Sequence, residues 1–413
     1  MKVRERARAG RCLAAAVVAL VVSVSCGGTT TESDRVDAST AGGSDSTATD
    51  AFDVGAAQSG TDTAAAEDDA TDSDEDARTD ATSAADEAAD DVSTNTSTNA
   101  PTGDATSTPA GDPTSAAATS PADAPPRSFT LLAGGEILPH SPLWRGAAAN
   151  AGGTGGYDFT PMLAPIADRV EAADLSICHL ETPIAPEGEE FSTDPLYGVP
   201  PQIADAIAAA GFDRCSTASN HVLDRYPRGV DRTVDVLEAA GVAQSGMARF
   251  PAEIEPSLVD VDGVAVSHLA YTYGTNGIPP PADQPWRTRL LSAEQIIADA
   301  QAAHDLGAEF VVVSVHWGTE KQAAPDDQQV LIAEQITATG LVDLVIGHHA
   351  HVLQPIALVN GVWVVYGLGN LLSNHPVADH WPASTQDGAL VEFEVSIDGD
   401  ATLLVGRPNV IPT

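Results

Sequence analysis

The chain has 413 residues and a formal net charge of −40. So acidic a chain is not built to hold nucleic acid, and its four unclustered cysteines argue against a thiolate zinc scaffold. The charge is uneven: residues 27–126 carry 22 acidic residues against Arg35 and Arg78, about half of the net charge, with Phe52 as their one aromatic.

Residues 1–25 read as an export signal. Lys2, Arg4, Arg6, Arg8 and Arg11 make a basic start, and the apolar run Leu13–Val24 is too short for a comfortable membrane span. Small residues then lead into Cys26-Gly27-Gly28, which resembles a bacterial lipoprotein cleavage site, with Cys26 as the lipid-bearing first residue. Ser23 stands where leucine is usual, so plain cleavage and secretion, or an uncleaved anchor, are the alternatives. Residues 26–127 are rich in Ala, Ser, Thr and Asp; they bury too little apolar surface to offset chain entropy and are expected to form a disordered acidic tether. The expected location is extracytoplasmic, anchored to the membrane through the lipid.

Residues 128–400 are expected to form the folded domain, with 401–413 as a C-terminal tail. Ser128–Ala133 predicts a strand ending at Gly134-Gly135-Glu136. Thr160-Pro161 opens a helix toward Ala172. Asp174–Cys178 is a buried strand ending at His179-Leu180-Glu181. A helix over Pro201–Ala210 stops at Gly211, and the strand Asp213–Thr217 ends at Ser219-Asn220-His221. A helix over Gly229–Ala240 stops at Gly241, before a short strand. Asp262-Gly263 marks a hairpin within Ser257–Ala270. Ser292 starts a helix to Leu306, and Glu309–Val315 is a strand ending at His316-Trp317-Gly318. Pro325-Asp326-Asp327 opens a helix that ends at Gly340, and Leu341–Ile346 runs into Gly347-His348-His349-Ala350-His351. Hairpin turns follow at Asn360-Gly361 and Asp398-Gly399.

This alternation predicts an α/β domain with mixed sheets. Glu136, Glu181, Asn220-His221, His316 and His349/His351 each follow the carboxyl end of a predicted strand, the edge where such sheets build their sites. Two carboxylates, an amide and several imidazoles suit a pair of divalent cations with oxygen and nitrogen ligands, able to clamp an in-line displacement at phosphorus. His221 with Asp224 suits a proton donor and the carboxylate that holds its tautomer.

Ser219-Asn220-His221-Val222-Leu223-Asp224, Val315-His316-Trp317-Gly318-Thr319-Glu320, Ile346–Gln354 and Tyr366-Gly367-Leu368-Gly369-Asn370 together resemble the CapA family of capsule or poly-γ-glutamate biosynthesis proteins, relatives of calcineurin-like metallophosphatases. The resemblance covers about Phe129–Phe393 and implies a four-layer α-β-β-α sandwich holding two divalent metal ions (Mn, Zn or Fe). Matched motif by motif, it implies Glu136 and His351 on a first metal, Glu181 as a bridge, Asn220, His316 and His349 on the second, and His221 as acid or transition-state stabiliser. His348 competes with His349 for its place.

The chain departs from the family pattern. Glu136 replaces an Asp and His179 replaces the Asn before Leu-Glu; an Asp-x-His near Glu136 is missing, since His140 lies four residues on. His140, His179 and Glu320 are therefore either ordinary loop or helix groups or partners of the metal ligands. His268, His304, His375 and His380 have no motif context. Cys178 and Cys215 are either a disulfide, which export favours, or buried thiols.

Two functions follow as expectations. One is metal-assisted hydrolysis of a phosphoester or related bond in a phosphorylated substrate or cell-envelope polymer. The other is a non-catalytic, metal-dependent binding or assembly factor for an anionic capsule polymer. The net charge near −24 left for the folded domain opposes a polyglutamate chain unless metals invert the local field.

Overall fold

The structure, a computed structural model, describes residues 126–153 and 155–413. Cys26, the apolar run Leu13–Val24 and nearly all of the expected tether lie outside them.

One sheet has eight strands. Its path runs β13(Leu403–Val405), β12(Ala389–Ile397), β1(Arg127–Ile137), β2(Leu175–Leu180), β3(Arg214–Ser216), β4(Ala243–Ser245), with β11(Asn370–Leu372) on β1 and β14(Asn409–Pro412) on β12. The other orders β5(Leu258–Val261), β6(Val264–Thr272), β7(Phe310–His316), β8(Leu344–His348), β10(Val362–Val365), β9(Ile356–Val359). Parallel pairs β1–β2–β3–β4 and β6–β7–β8–β10 sit beside antiparallel partners, so both sheets are mixed.

Alternation along the strands fixes the layers. Leu131, Ala133, Leu175, Ile177 and Phe393 meet Val264, Val266, Phe310, Val312, Leu344 and Ile346 in one core between the sheets. Residues of opposite parity face helices. Leu132, Cys178 and Leu180 pack under α1(Ser141–Asn150), α2(Thr160–Ala172), α3(Gln202–Ala209) and α4(Tyr226–Ala240). Val311, Val313, Val315 and Val345 pack under α6(Ala293–Asp305) and α7(Asp327–Thr337); the short α5(Pro251–Ile254) precedes β5. The result is the expected four-layer α-β-β-α sandwich.

Local chemistry explains the element ends. Asp262-Gly263 and Asn360-Gly361 take positive φ at both residues, as a tight two-residue hairpin requires. Gly241 caps α4 in the left-handed region at φ 81°, and Asp326 and Gln329 close a capping box on α7. The Asp398-Gly399 turn is wider than expected: Asp398 and Thr402 close a loop in which Ala401 carries the positive φ. The C-terminal stretch is no free tail, because β13 and β14 both pair with β12. Their short, half-exposed strands carry too little alternation to be read from sequence. The helix α1 was likewise not expected; its Ala-rich sequence has only a weak apolar face. Cys178 and Cys215 are register neighbours on parallel strands, Cα atoms 4.4 Å apart, and are joined in a disulfide.

Gly347 lies where β8 passes under the Tyr366 carbonyl and the Trp317 indole, and a Cβ there would overlap both. Gly347→Ala should therefore cost about 2–3 kcal/mol through forced displacement of β8. A denaturant midpoint equal to the parent's would contradict this packing.

Candidate metal centre

Parity also aims the site. Ile177 and His179, Val312 and His316, and Ile346 and His348 share faces, so the apolar core between the sheets gives way to imidazoles at its upper end. A register shift in β1 between Ala133 and Glu136 keeps Glu136 opposite His179 and Asn370, inside the strand and not beyond its end. Glu181, Asn220, His349 and His351 come from the loops that follow β2, β3 and β8.

Glu136, Glu181 and His351 are buried, and one ligand atom from each lies within 4.8 Å of the others. Glu136 Oε1 accepts the His349 amide at 2.5 Å, and its Oε2 stands 2.8 Å from His351 Nδ1. That second contact is off the hydrogen-bond axis; the ring N–H is better aimed at Asn370 Oδ1, 3.1 Å away. Glu181 Oε1 lies 3.7 Å from His351 Nε2 and 3.8 Å from His316 Nε2, and both its carboxylate oxygens are buried without a hydrogen-bond partner. Burial pushes the Glu181 carboxyl up to about 7. Burial also opposes the charge of His351, but Glu181 and Glu136 outweigh it and push the ring up to about 10.

Beside this group, His316 Nε2 meets Asn220 Oδ1 at 2.9 Å, and the His316 and His349 rings sit 4.7 Å apart. Burial holds His349 down to about 3, and its Nδ1 has no hydrogen-bond partner. His349 and His351 have φ of 91° and 55°, a left-handed conformation costing on the order of 1–3 kcal/mol in a non-glycine residue. His348 also points inward, stacked on His179 at 4.0 Å with both ring nitrogens unpartnered. His179 Nε2 contacts His316 Nδ1 at 3.0 Å, so it sits behind a candidate ligand.

His221 Nδ1 lies 2.7 Å from Asp224 Oδ2, and that carboxylate also accepts the Tyr197 amide at 2.7 Å. Burial opposes protonation of His221, but Asp224 and Glu181 hold its pKa above the usual value. His140 joins Tyr197 Oη at 3.0 Å and accepts the Asn374 amide, one layer out from the carboxylates. Glu320 is exposed, and its charge still reaches His351 and Glu181.

The donor set fits a divalent cation. Two buried, unpaired carboxylate oxygens on Glu181 are costly, by several kcal/mol when charged, unless a cation or proton meets them. Glu136, Glu181 and His351 could hold one metal, and Asn220, His316 and His349 stand together beside Glu181 for another.

The profile of one protein family, described as "Bacterial capsule synthesis protein PGA_cap", matches residues 130–375, which is more than half of the chain and contains every residue of this site. The chain belongs to that family. Curated relatives include the PGA biosynthesis protein CapA of Bacillus subtilis (strain 168), 29% identical over 205 residues, 49% of this chain and 50% of that one, and the capsule biosynthesis protein CapA of Bacillus anthracis, 28% over 210 residues, 50% and 49%. The chain thus spans about half the length of the curated relatives it matches. Among solved structures, the calcineurin-like phosphoesterase YfkN from Bacillus subtilis aligns at TM-score 0.39 and 14% identity over 70% of this chain and 91% of that one. The four-layer α-β-β-α arrangement itself rests on the strand order and the packing described above.

The PGA_cap site includes residues that sequence reading passed over. Asn370 links His351 to His375 (3.2 Å) and to the Thr385 carbonyl (2.9 Å); the signal was the Tyr366–Asn370 motif at a strand start. Tyr273 tilts against His349 at 4.6 Å, and His375 lies 4.7 Å from His351. His268 pairs with Ser314 below the site, while His304 bonds the Ala308 and Leu341 carbonyls far from it. From sequence alone, Asp at position 136 should bind the first metal at least as tightly. The geometry predicts the opposite. Shortening Glu136 withdraws it from the His349 amide and the His351 ring, so Glu136→Asp should weaken binding about tenfold in a chelator competition; equal or tighter binding would show that the extra methylene is not needed.

Proposed function

We propose that this PGA_cap protein is a metal-dependent hydrolase of the cell envelope. In this reading it is exported, lipid-anchored at Cys26 and reaches from the membrane on its acidic tether, with two divalent ions in the Glu136–Glu181–His351 and Asn220–His316–His349 sets. Its substrate is a phosphoester or related bond in an envelope polymer or its phosphorylated precursor; capsule synthesis is what the relatives' names support. Bound metals would supply Lewis-acid stabilisation of charge developing on the scissile group.

The observation that carries hydrolysis rather than mere binding is the His221–Asp224 dyad. Asp224 is fixed by the Tyr197 amide, accepts a hydrogen bond from Nδ1–H of His221, and so favours the protonated ring with Nε2–H as the donor to a leaving group. A site that only binds an anion needs no such oriented imidazole. Asn220, adjacent in sequence, holds His316 Nε2 through its amide oxygen.

The test is hydrolysis of p-nitrophenyl phosphate and bis-p-nitrophenyl phosphate by the purified full chain, with Mn²⁺, Zn²⁺ or Fe²⁺ added and after chelation. Turnover that requires added metal is expected. Bound metal without turnover of either ester would overturn the hydrolase reading in favour of a binding or assembly factor for an anionic polymer.

A further inference from the structure

The sequence contains two lysines, Lys2 and Lys321, and Lys321 lies at the mouth of the metal centre. Its backbone N–H donates to the carbonyl of Ala350, the residue between His349 and His351, at 2.8 Å. Lys321 has φ 66°, a left-handed conformation that a side-chain-bearing residue seldom takes without purpose. Its ammonium rests 3.8 Å from the centre of the Trp381 ring and forms no ion pair among the described residues. Several arginines of the fold are different: Arg127, Arg225, Arg249, Arg287 and Arg289 are each held by a carboxylate.

Trp381 is itself built into the site. Its ring stacks on His375 at 3.6 Å and 11°, and His375 stands edge-on to His351 at 4.7 Å. Asn370 fastens this arrangement by bonding His375, the His351 carbonyl and the Thr385 carbonyl. The half-buried indole and the exposed ammonium therefore form a wall that begins at His351 and ends in a free cation. Trp381 lies beyond the residues matched by the family profile.

We propose that Lys321, held in place by Trp381, forms a substrate subsite beside the metal centre that takes an anionic group, carboxylate or phosphate. The local field makes the cation matter: the exposed Glu320 next to it would otherwise repel an anion. The indole, stacked on His375 by one face, holds the ammonium over the other by cation–π attraction and so fixes the cation beside the site. Lys321 and Trp381 are specificity residues here and take no part in the chemistry. This inference rests on the proposed function only for its hydrolytic readout.

The experiment compares aryl phosphodiesters bearing a remote carboxylate with their carboxamide counterparts, on the metal-loaded full chain. The carboxylate form should be preferred about tenfold in kcat/KM, through KM, with the preference falling as salt rises. Lys321→Gln should bring the preference within about twofold, and Lys321→Arg should restore most of it. Non-hydrolysable phosphonates of both forms, titrated by quenching of Trp381 fluorescence with Trp381→Phe as the blank, measure the same discrimination without turnover. No preference in either assay, or an undiminished preference in Lys321→Gln, would overturn the subsite. Discrimination between the phosphonates without hydrolysis of the esters would sink the hydrolase reading and leave the subsite standing.

Discussion

Glu181→Gln should strip the protein of bound metal and at the same time make the metal-free chain more stable. Both effects come from one fact: the two Glu181 oxygens are buried with no hydrogen-bond donor, and Oε1 stands 3.7 Å from His351 Nε2 and 3.8 Å from His316 Nε2. With metal present, removing the charge deletes a ligand shared by both candidate metal positions, and affinity should fall at least a hundredfold. With metal chelated, the same charge is a burden. The folded-state pKa is raised to about 7 from 4.5, so the folded state binds the proton more tightly than the unfolded state does. Stability of the chelated parent is then fully present below pH 4.5 and is lost as pH rises through about 7, on the order of 3 kcal/mol from this group. Glu181→Gln should lose that slope and melt above the parent at pH 8. A variant that keeps its metal, or a chelated parent that gains stability over this pH range, would contradict the assignment.

His221→Ala should lower hydrolysis by roughly 10²–10⁴ while leaving metal content near that of the parent. The prediction separates His221 from its neighbour. Asn220 contacts His316 Nε2, whereas His221 contacts Asp224, Tyr197 and Asn276 and none of the candidate ligands. Asp224→Asn should fall between parent and His221→Ala, because an amide can present its N–H to Nδ1 and turn the ring to the wrong tautomer. If His221→Ala loses metal along with activity, the ring is a ligand or a structural prop and the proton-donor role fails.

Much of this site was legible because strand ends are written in the sequence. Val311–His316 and Leu344–His348 are β-branched, apolar runs that change to imidazole at one point, and period-two alternation then dictates that His316 and His348 face the same side. Gly347 marked the close pass under Tyr366 that makes the stop sharp. The side chains beyond the strands were harder to place. His348 and His349 could not be ranked, since the outcome turns on a positive φ at His349 that no local residue preference announces. His375 carries no spacing signal, and only the fold of the segment after β11 brings it to His351. Asn370 was visible as part of a motif, but its work of tying His351 to that segment depends on β11 pairing with β1 across more than two hundred residues. The same non-locality hid β13 and β14, which owe their strand conformation to β12.

Position also explains how the sandwich makes chemistry. Apolar parity packs the two sheets together below, and the same parity places His179, His316 and His348 above that core, where burial keeps each ring neutral. Neutral imidazoles around two carboxylates are what a borderline divalent cation requires.

The most direct measurement is anomalous diffraction from crystals of the protein grown with Mn²⁺. The account predicts a peak within bonding distance of the Glu181 carboxylate, between Glu136, His351 and the His316–His349 pair, and its loss in Glu181→Gln. A fully ordered site with no peak, or manganese bound elsewhere while these side chains keep their present contacts, would contradict it.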